Sequence, residues 1–198
     1  MSSIPLFDIA AIVGDSPTLV AEIASLFTRP RRYLSVIDGP RMSRPDWTNE
    51  VIRRTNALAK AQSRRVILAG LNADSVKHLS CDKPEGTFIS VSSVSEAAEA
   101  LKGWIKGPTA RMAWGEKNLG VGLLVARRSK KVLQTGRGES PSENVVSGGT
   151  HLLIACEAGN ELAQIVASNL AFATDATFLV ILIFLKTNGM SGWKNYIL

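Results

Sequence analysis

Ile9-Ala10-Ala11-Ile12-Val13-Gly14-Asp15-Ser16-Pro17 is the stretch from which the fold is read. Its first five residues are all apolar, which suits a strand covered on both faces better than one with a wet side. Gly14 and Asp15 supply a turn and Ser16 an N-cap. Pro17 takes the first helical position, where its missing N–H is not needed. The helix is predicted to run to about Phe27, because Pro30 cannot continue it.

The same strand–turn–helix unit recurs. Tyr33–Ile37 is a second strand, ended by Asp38-Gly39-Pro40, and Asp46 caps a helix from Trp47 to about Gln62. Arg65–Ala69 is a third strand, closed by Gly70, with a short helix over Ala73–Leu79. Thr87–Val91 is a fourth, and Ser93-x-x-Glu96 is a capping box opening a helix to about Lys106. His151–Ala155, a helix from the Asn160 cap to about Ala173, and the apolar run Phe178–Leu185 resume the pattern later. The inner face of that last helix is assigned to Leu162, Ile165, Val166, Leu170 and Phe172. Repeated units of this kind predict an α/β fold with a largely parallel, Rossmann-like sheet and helices on both faces.

Between these regions the rhythm changes. Arg111–Trp114, Leu119–Ala126 and Lys131–Thr135 read as strands of an inserted β-hairpin or meander near 111–135, with Arg127–Lys131 as its basic tip. Gly136–Thr150 is rich in Gly and Ser and reads as a mobile loop.

Composition bounds the class. Of 198 residues, 45% are hydrophobic, 20% charged and 6% aromatic, so an aliphatic core is affordable and extended disorder is not expected. No linker of domain-boundary type stands out, and residues 1–198 are read as one domain. Either Trp193, Tyr196, Ile197 and Leu198 cap the sheet, or the chain is a piece of a larger protein. Cys81 and Cys156 lack metal spacing and do not form a disulfide framework, which points to a reducing, cytoplasmic compartment. The eight-residue run Phe178–Leu185 is far short of the roughly 20 residues a membrane helix needs, so no membrane partner is expected.

Function is carried by two features. The first is the set of loops that leave the carboxyl ends of the strands, where parallel α/β sheets bind ligands. These loops hold three carboxylates, Asp15, Asp38 and Glu157, able to hold a hydrated Mg²⁺; Asp15 and Asp38 are also the candidate catalytic pair. Ser16, Arg41, Asn72 and Asn160 are candidate phosphate ligands, by helix N-termini or by charge. Turns and caps use the same residue types, so the set carries no specific signature. The second is charge. Residues 29–65 hold ten basic and three acidic side chains, a local +7 that exceeds the +6 of the whole chain. On the helix from Trp47, Arg53, Lys60 and Arg64 share one face and form a candidate nucleic-acid surface.

Familiar fingerprints are missing. Gly14-Asp-Ser-Pro is neither a dinucleotide nor a P-loop motif, Gly115-x4-Gly120-x-Gly122 falls in the expected hairpin, and no GxSxG elbow exists. The expectation is a phosphate- or nucleotide-handling protein, either a Mg²⁺-dependent hydrolase or nuclease-like enzyme. The alternative is a non-catalytic subunit that binds nucleic acid or an acidic protein through its basic face. A third is an assembly component whose exposed C-terminal strand or tail pairs with another chain, a protein partner or a second copy in a homo-oligomer.

Overall fold

The computed structural model describes residues 11–29, 35–38, 66–80, 88–103 and 105–182. The expected helix from Trp47 to Gln62, with Arg53, Lys60 and Arg64, lies outside these residues, as do Arg41, Cys81 and the C-terminal aromatic residues.

Four short strands form a wholly parallel sheet: β1 (Ala11–Gly14), β2 (Ser35–Asp38), β3 (Val66–Ala69) and β4 (Phe88–Val91), in the order β2-β1-β3-β4. Both of its faces are covered, as the unbroken apolar strands require. Ile12, Ile67 and Ala69 face one core cluster, together with Val20, Ile23 and Phe27 of and just after helix α1 (Pro17–Ser25). Ala11, Val13, Val66 and Leu68 face a second cluster, which Val76 of α2 (Ala73–Ser80) joins. Helix α3 (Val94–Ala100) returns to the first face through Ala97. It stops well before Lys106, because Leu101 caps it and Gly103 follows with φ +91°.

The expected hairpin is not there. Strands β5 (Arg111–Trp114) and β6 (Val132–Thr135) are parallel, and the Leu119–Ala126 stretch read as a strand between them is helix α4 (Leu119–Arg128). A parallel pair cannot be closed by a tight turn and needs such a crossover. The stretch LGVGLLVA hid its helical character because α4 is buried nearly all round, which removes the polar stripe that reveals a period. Gly120 and Gly122, poor helix formers, are present for contact. A Cβ on Gly120 would lie 2.6 Å from the Gln164 carbonyl oxygen, and one on Gly122 would lie 2.6 Å from the Trp114 ring.

The third sheet has the order β7-β9-β8, from β7 (Val145–Val146), β8 (Leu153–Glu157) and β9 (Thr177–Ile181). β8 and β9 are parallel and β7 is antiparallel to β9. Helix α5 (Glu161–Thr174) joins β8 to β9. Its inner face keeps Ile165, Phe172 and, partly buried, Leu162 as the sequence reading had them, but Gln164, Ser168 and Asn169 are buried beside them while Val166 and Leu170 are exposed. The Gly136–Thr150 segment is also not a free loop. Ser140 Oγ donates to the Lys117 carbonyl at 2.7 Å, Val180 N–H donates to Asn144 O at 2.8 Å, and Gly148 and Gly149 press against Asp175 and Ala176 with no room for a Cβ. No helix among the described residues is long and apolar enough to cross a membrane.

Side chains of α1 close the free edge of β6. Ser25 Oγ accepts the Leu133 N–H at 2.8 Å, and Glu22 Oε1 accepts both the Thr135 N–H and its hydroxyl at 2.8 Å. The two-stranded sheet is thereby fastened to the first one through helix α1.

Gly122→Ala separates the crossover helix from a hairpin. In an open helix it would stabilise by about 1 kcal/mol. Against the Trp114 ring it is expected to destabilise by roughly 1–3 kcal/mol through overpacking, read as a lower urea midpoint.

Candidate functional site at the carboxyl edge of the parallel sheet

The registers of the four-stranded sheet align its carboxyl ends. Gly14 pairs with Asp38 on one side and with Ala69 on the other, and Ala69 pairs with Val91. Asp15, the chain after Asp38, Gly70 and Ser92 therefore leave one edge together. Strand order reverses between β1, which leads to β2 on its one side, and β3, which leads to β4 on the other. In open parallel sheets such a switch point is where ligands bind.

Close packing builds this edge. A Cβ on Gly14 would stand 2.7 Å from Val20 Cγ2 and 3.0 Å from the Ala69 carbonyl oxygen, so only glycine lets α1 and β3 meet here. Gly70, at φ +70°, turns the chain after β3 and donates its N–H to Val91 O at 2.9 Å. Asp15 is exposed. Ser16 is the N-cap of α1: its Oγ accepts the Leu19 N–H at 3.4 Å and lies 3.0 Å from the Thr18 hydroxyl. Pro17 has no N–H and Val20 donates to Ser16 O, which leaves Thr18 as the unclaimed backbone donor of the first turn among the described residues.

The other polar residues of this edge mostly serve the backbone. Asn72 Oδ1 accepts the Ser75 N–H at 2.8 Å and caps α2. Ser93 caps α3 by accepting the Glu96 N–H at 3.2 Å. The Glu96 carboxylate reaches back one residue further than a capping box would, to the Ser92 N–H at 2.6 Å and its hydroxyl at 2.9 Å. These bonds hold its pKa below the usual carboxylate value.

Glu157 and Asn160 belong elsewhere. Glu157 ends β8, which is hydrogen-bonded to β9 and not to any strand of the four-stranded sheet. Asn160 caps α5, accepting the Ala163 N–H at 3.1 Å. The predicted single ring of loops is thus divided between two sheets: Asp15, Ser16, Asn72 and the backbone of Asp38 on one, Glu157 and Asn160 on the other. Among the described residues no group of three or more His, Cys, Asp or Glu side chains could hold a metal ion. The half-buried Cys156 is free, and burial raises its pKa.

The most unusual polar group was read as exposed. Arg127, assigned to a basic hairpin tip, is 1% exposed. Its Nε donates to the Phe27 carbonyl at 2.7 Å, its Nη1 donates to Asn169 Oδ1, and its guanidinium lies 4.0 Å over the Phe172 ring. Arg127 Nη2 and Asn169 Nδ2 have no partner among the described residues. Burial pushes the guanidinium pKa down to about 9. One side chain thus ties the end of α1 to α4 and α5. Its neighbour Arg128 faces outward to Ser147 O, Asp175 and Ala176, leaving Lys130 and Lys131 as the exposed bases of that cluster. Helical spacing places Arg127 on the row of Leu123 and Leu124, a signal lost once the stretch is read as a strand.

Asn169→Leu removes the acceptor of a buried charge and is expected to lower stability by about 2–3 kcal/mol. Adding Arg127→Met to it should restore most of the loss, a coupling that chemical denaturation of both variants would measure. No protein-family model matches the chain, nor does any curated protein or solved structure, so a functional reading must rest on the chemistry of the site itself.

Proposed function

We propose that the protein binds a phosphorylated small molecule of the nucleotide class at the switch point between the carboxyl ends of β1 and β3. The observation that carries this reading is the reversal of strand order there, beside the N-terminus of α1. Helix N-termini favour anions through their dipole and unclaimed N–H groups, and Thr18 N–H with the Ser16 and Thr18 hydroxyls are the donors on hand. Asp15, exposed at the same point, could hold a hydrated Mg²⁺ carried in with the phosphates. Arg41, three residues after the end of β2 in the sequence, is the candidate counter-charge.

Hydrolysis is the further step of this proposal, and it needs Asp15 and Asp38 to act together on one metal or water. Support for the pairing is that they leave adjacent strands, whose ends Gly14 and Asp38 are register partners. The charge of residues 29–65 favours a second reading, nucleic-acid binding through Arg53, Lys60 and Arg64.

Titration with ATP and ADP, with and without Mg²⁺, tests the first reading. A saturable rise in melting temperature is expected. Ser16→Asp keeps a capping oxygen but adds a negative charge at the phosphate position, so it should weaken binding about tenfold or more without lowering the melting temperature of the free protein. Unchanged affinity in that variant, or no binding by either nucleotide, would exclude the site. Single- and double-stranded DNA and RNA, titrated across a salt range, test the second reading. Reversal of Arg53, Lys60 and Arg64 to Glu should flatten the slope of log affinity against log salt by about 2–3.

A further inference from the structure

Two polar side chains of the interior carry more donors than their neighbours use. Arg127 at the end of α4 and Asn169 of α5 are each 1% exposed. A hydrogen bond from Arg127 Nη1 to Asn169 Oδ1 joins them, and Arg127 Nε donates to the Phe27 carbonyl at 2.7 Å. Arg127 Nη2 and Asn169 Nδ2 are buried and have no partner among the described residues. Each of these nitrogens is two covalent bonds from one end of the Nη1–Oδ1 bond, so the orphan donors form one cluster. A buried donor left unpaired forfeits its hydration with nothing in return, which native interiors seldom tolerate.

Charge points the same way. The guanidinium lies 4.0 Å over the Phe172 ring, and the acceptors that reach it, Phe27 O and Asn169 Oδ1, are neutral. The ion pairs of the described residues lie elsewhere, Lys102 with Glu99 and Arg128 with Asp175. Of two adjacent arginines, the one nearer solvent thus has the carboxylate, although the buried one needs it more. A bridging water answers the need poorly. It spends both lone pairs on the two donors and brings two hydrogens of its own that need acceptors, and it leaves the charge uncancelled. An anion brings acceptors only. Burial sets its size, since side chains that are 1% exposed admit an ion of one or a few atoms and exclude a metabolite.

We infer that Arg127 Nη2 and Asn169 Nδ2 hold a small monovalent anion of the halide class, chloride being the common one. The ion completes the joint at which the end of α1, the end of α4 and the middle of α5 meet. Phe27 follows the C-terminus of α1 and Ser16 caps its N-terminus, so this site is separate from the carboxyl edge of the four-stranded sheet. The two readings stand or fall independently. A ligand held by the folded chain alone stabilises it in proportion to the logarithm of its concentration, and chloride is expected to act in this way.

Thermal unfolding of the full chain at constant ionic strength, with sodium chloride exchanged for sodium gluconate, is the test. Gluconate is too large for the site. The melting temperature is expected to rise by about 3–6 °C once chloride stands about tenfold above its dissociation constant, and bromide should replace it. Arg127→Met combined with Asn169→Leu removes the charge and both donors, and should melt at one temperature in either salt. Lys130→Met with Lys131→Met, a change of exposed charge close by, should keep the full shift. Crystals grown in bromide should show an anomalous scattering peak beside Arg127 and Asn169, a readout that does not depend on any variant folding. Equal melting in chloride and gluconate would overturn the inference. So would a chloride effect that survives in the Arg127→Met, Asn169→Leu protein, or a bromide crystal without that peak.

Discussion

Helix α4 has almost no solvent face, and a helix buried all round must have its termini and its few polar atoms satisfied from inside the protein. At its start, Asn118 adopts a left-handed conformation and makes no side-chain cap. The Leu119 N–H goes to Glu161 Oε2 at 2.7 Å and the Gly120 N–H to Gln164 Oε1 at 3.4 Å, both from α5. At its end, Arg127 turns inward to Phe27 and Asn169. A helix N-terminus filled by a carboxylate of its own chain is a structural joint, so this one is not a phosphate site even though glycines surround it.

That constraint explains the polarity of α5. Gln164 and Asn169 are drawn into the interior because α4 presents unpaired N–H groups and a guanidinium to them, and an unpaired buried donor costs about 1–3 kcal/mol. Ser168 closes on the Ile165 carbonyl at 2.9 Å and adds no open polar group. With three of its inward positions taken by polar residues, α5 carries Val166 and Leu170 on the outside. The arrangement resembles a domain interior more than a surface helix. With Val145, Leu153 and Ile181 of β7, β8 and β9, Val166 and Leu170 are among the exposed large apolar side chains of the described residues, which gather at this end.

The carboxyl edge of the four-stranded sheet was legible residue by residue. Val13-Gly14-Asp15-Ser16-Pro17 reads as strand, turn and cap because each residue acts locally: Gly14 by lacking a Cβ, Ser16 by a hydroxyl within reach of the first turn, Pro17 by its fixed φ. Ser93 and Asn160 were recognised as helix starts for the same reason. Whether such a residue also meets a ligand was not legible. Glu157 shows this, since its place after a strand is identical in kind to that of Asp15, yet its strand pairs into another sheet. Neighbourhood between loops remote in sequence depends on which strands exchange hydrogen bonds, and every apolar strand here is an equally plausible partner for every other.

The sequence by itself determined the alternation of strand and helix through the four-stranded sheet and around α5, the caps at Ser16, Ser93 and Asn160, and the parallel character of the four-stranded sheet. These follow from hydrophobic runs, from turn chemistry and from the short reach of side-chain capping bonds. The tertiary structure alone decided that Leu119–Arg128 is a helix, that Arg127 is buried, and that Gly148 and Gly149 are contacts and not hinges. The physical reason is common to all three. A segment enclosed on every side has no polar stripe to mark its period, and a glycine or arginine chosen for close contact looks the same in the chain as one chosen for freedom or for water.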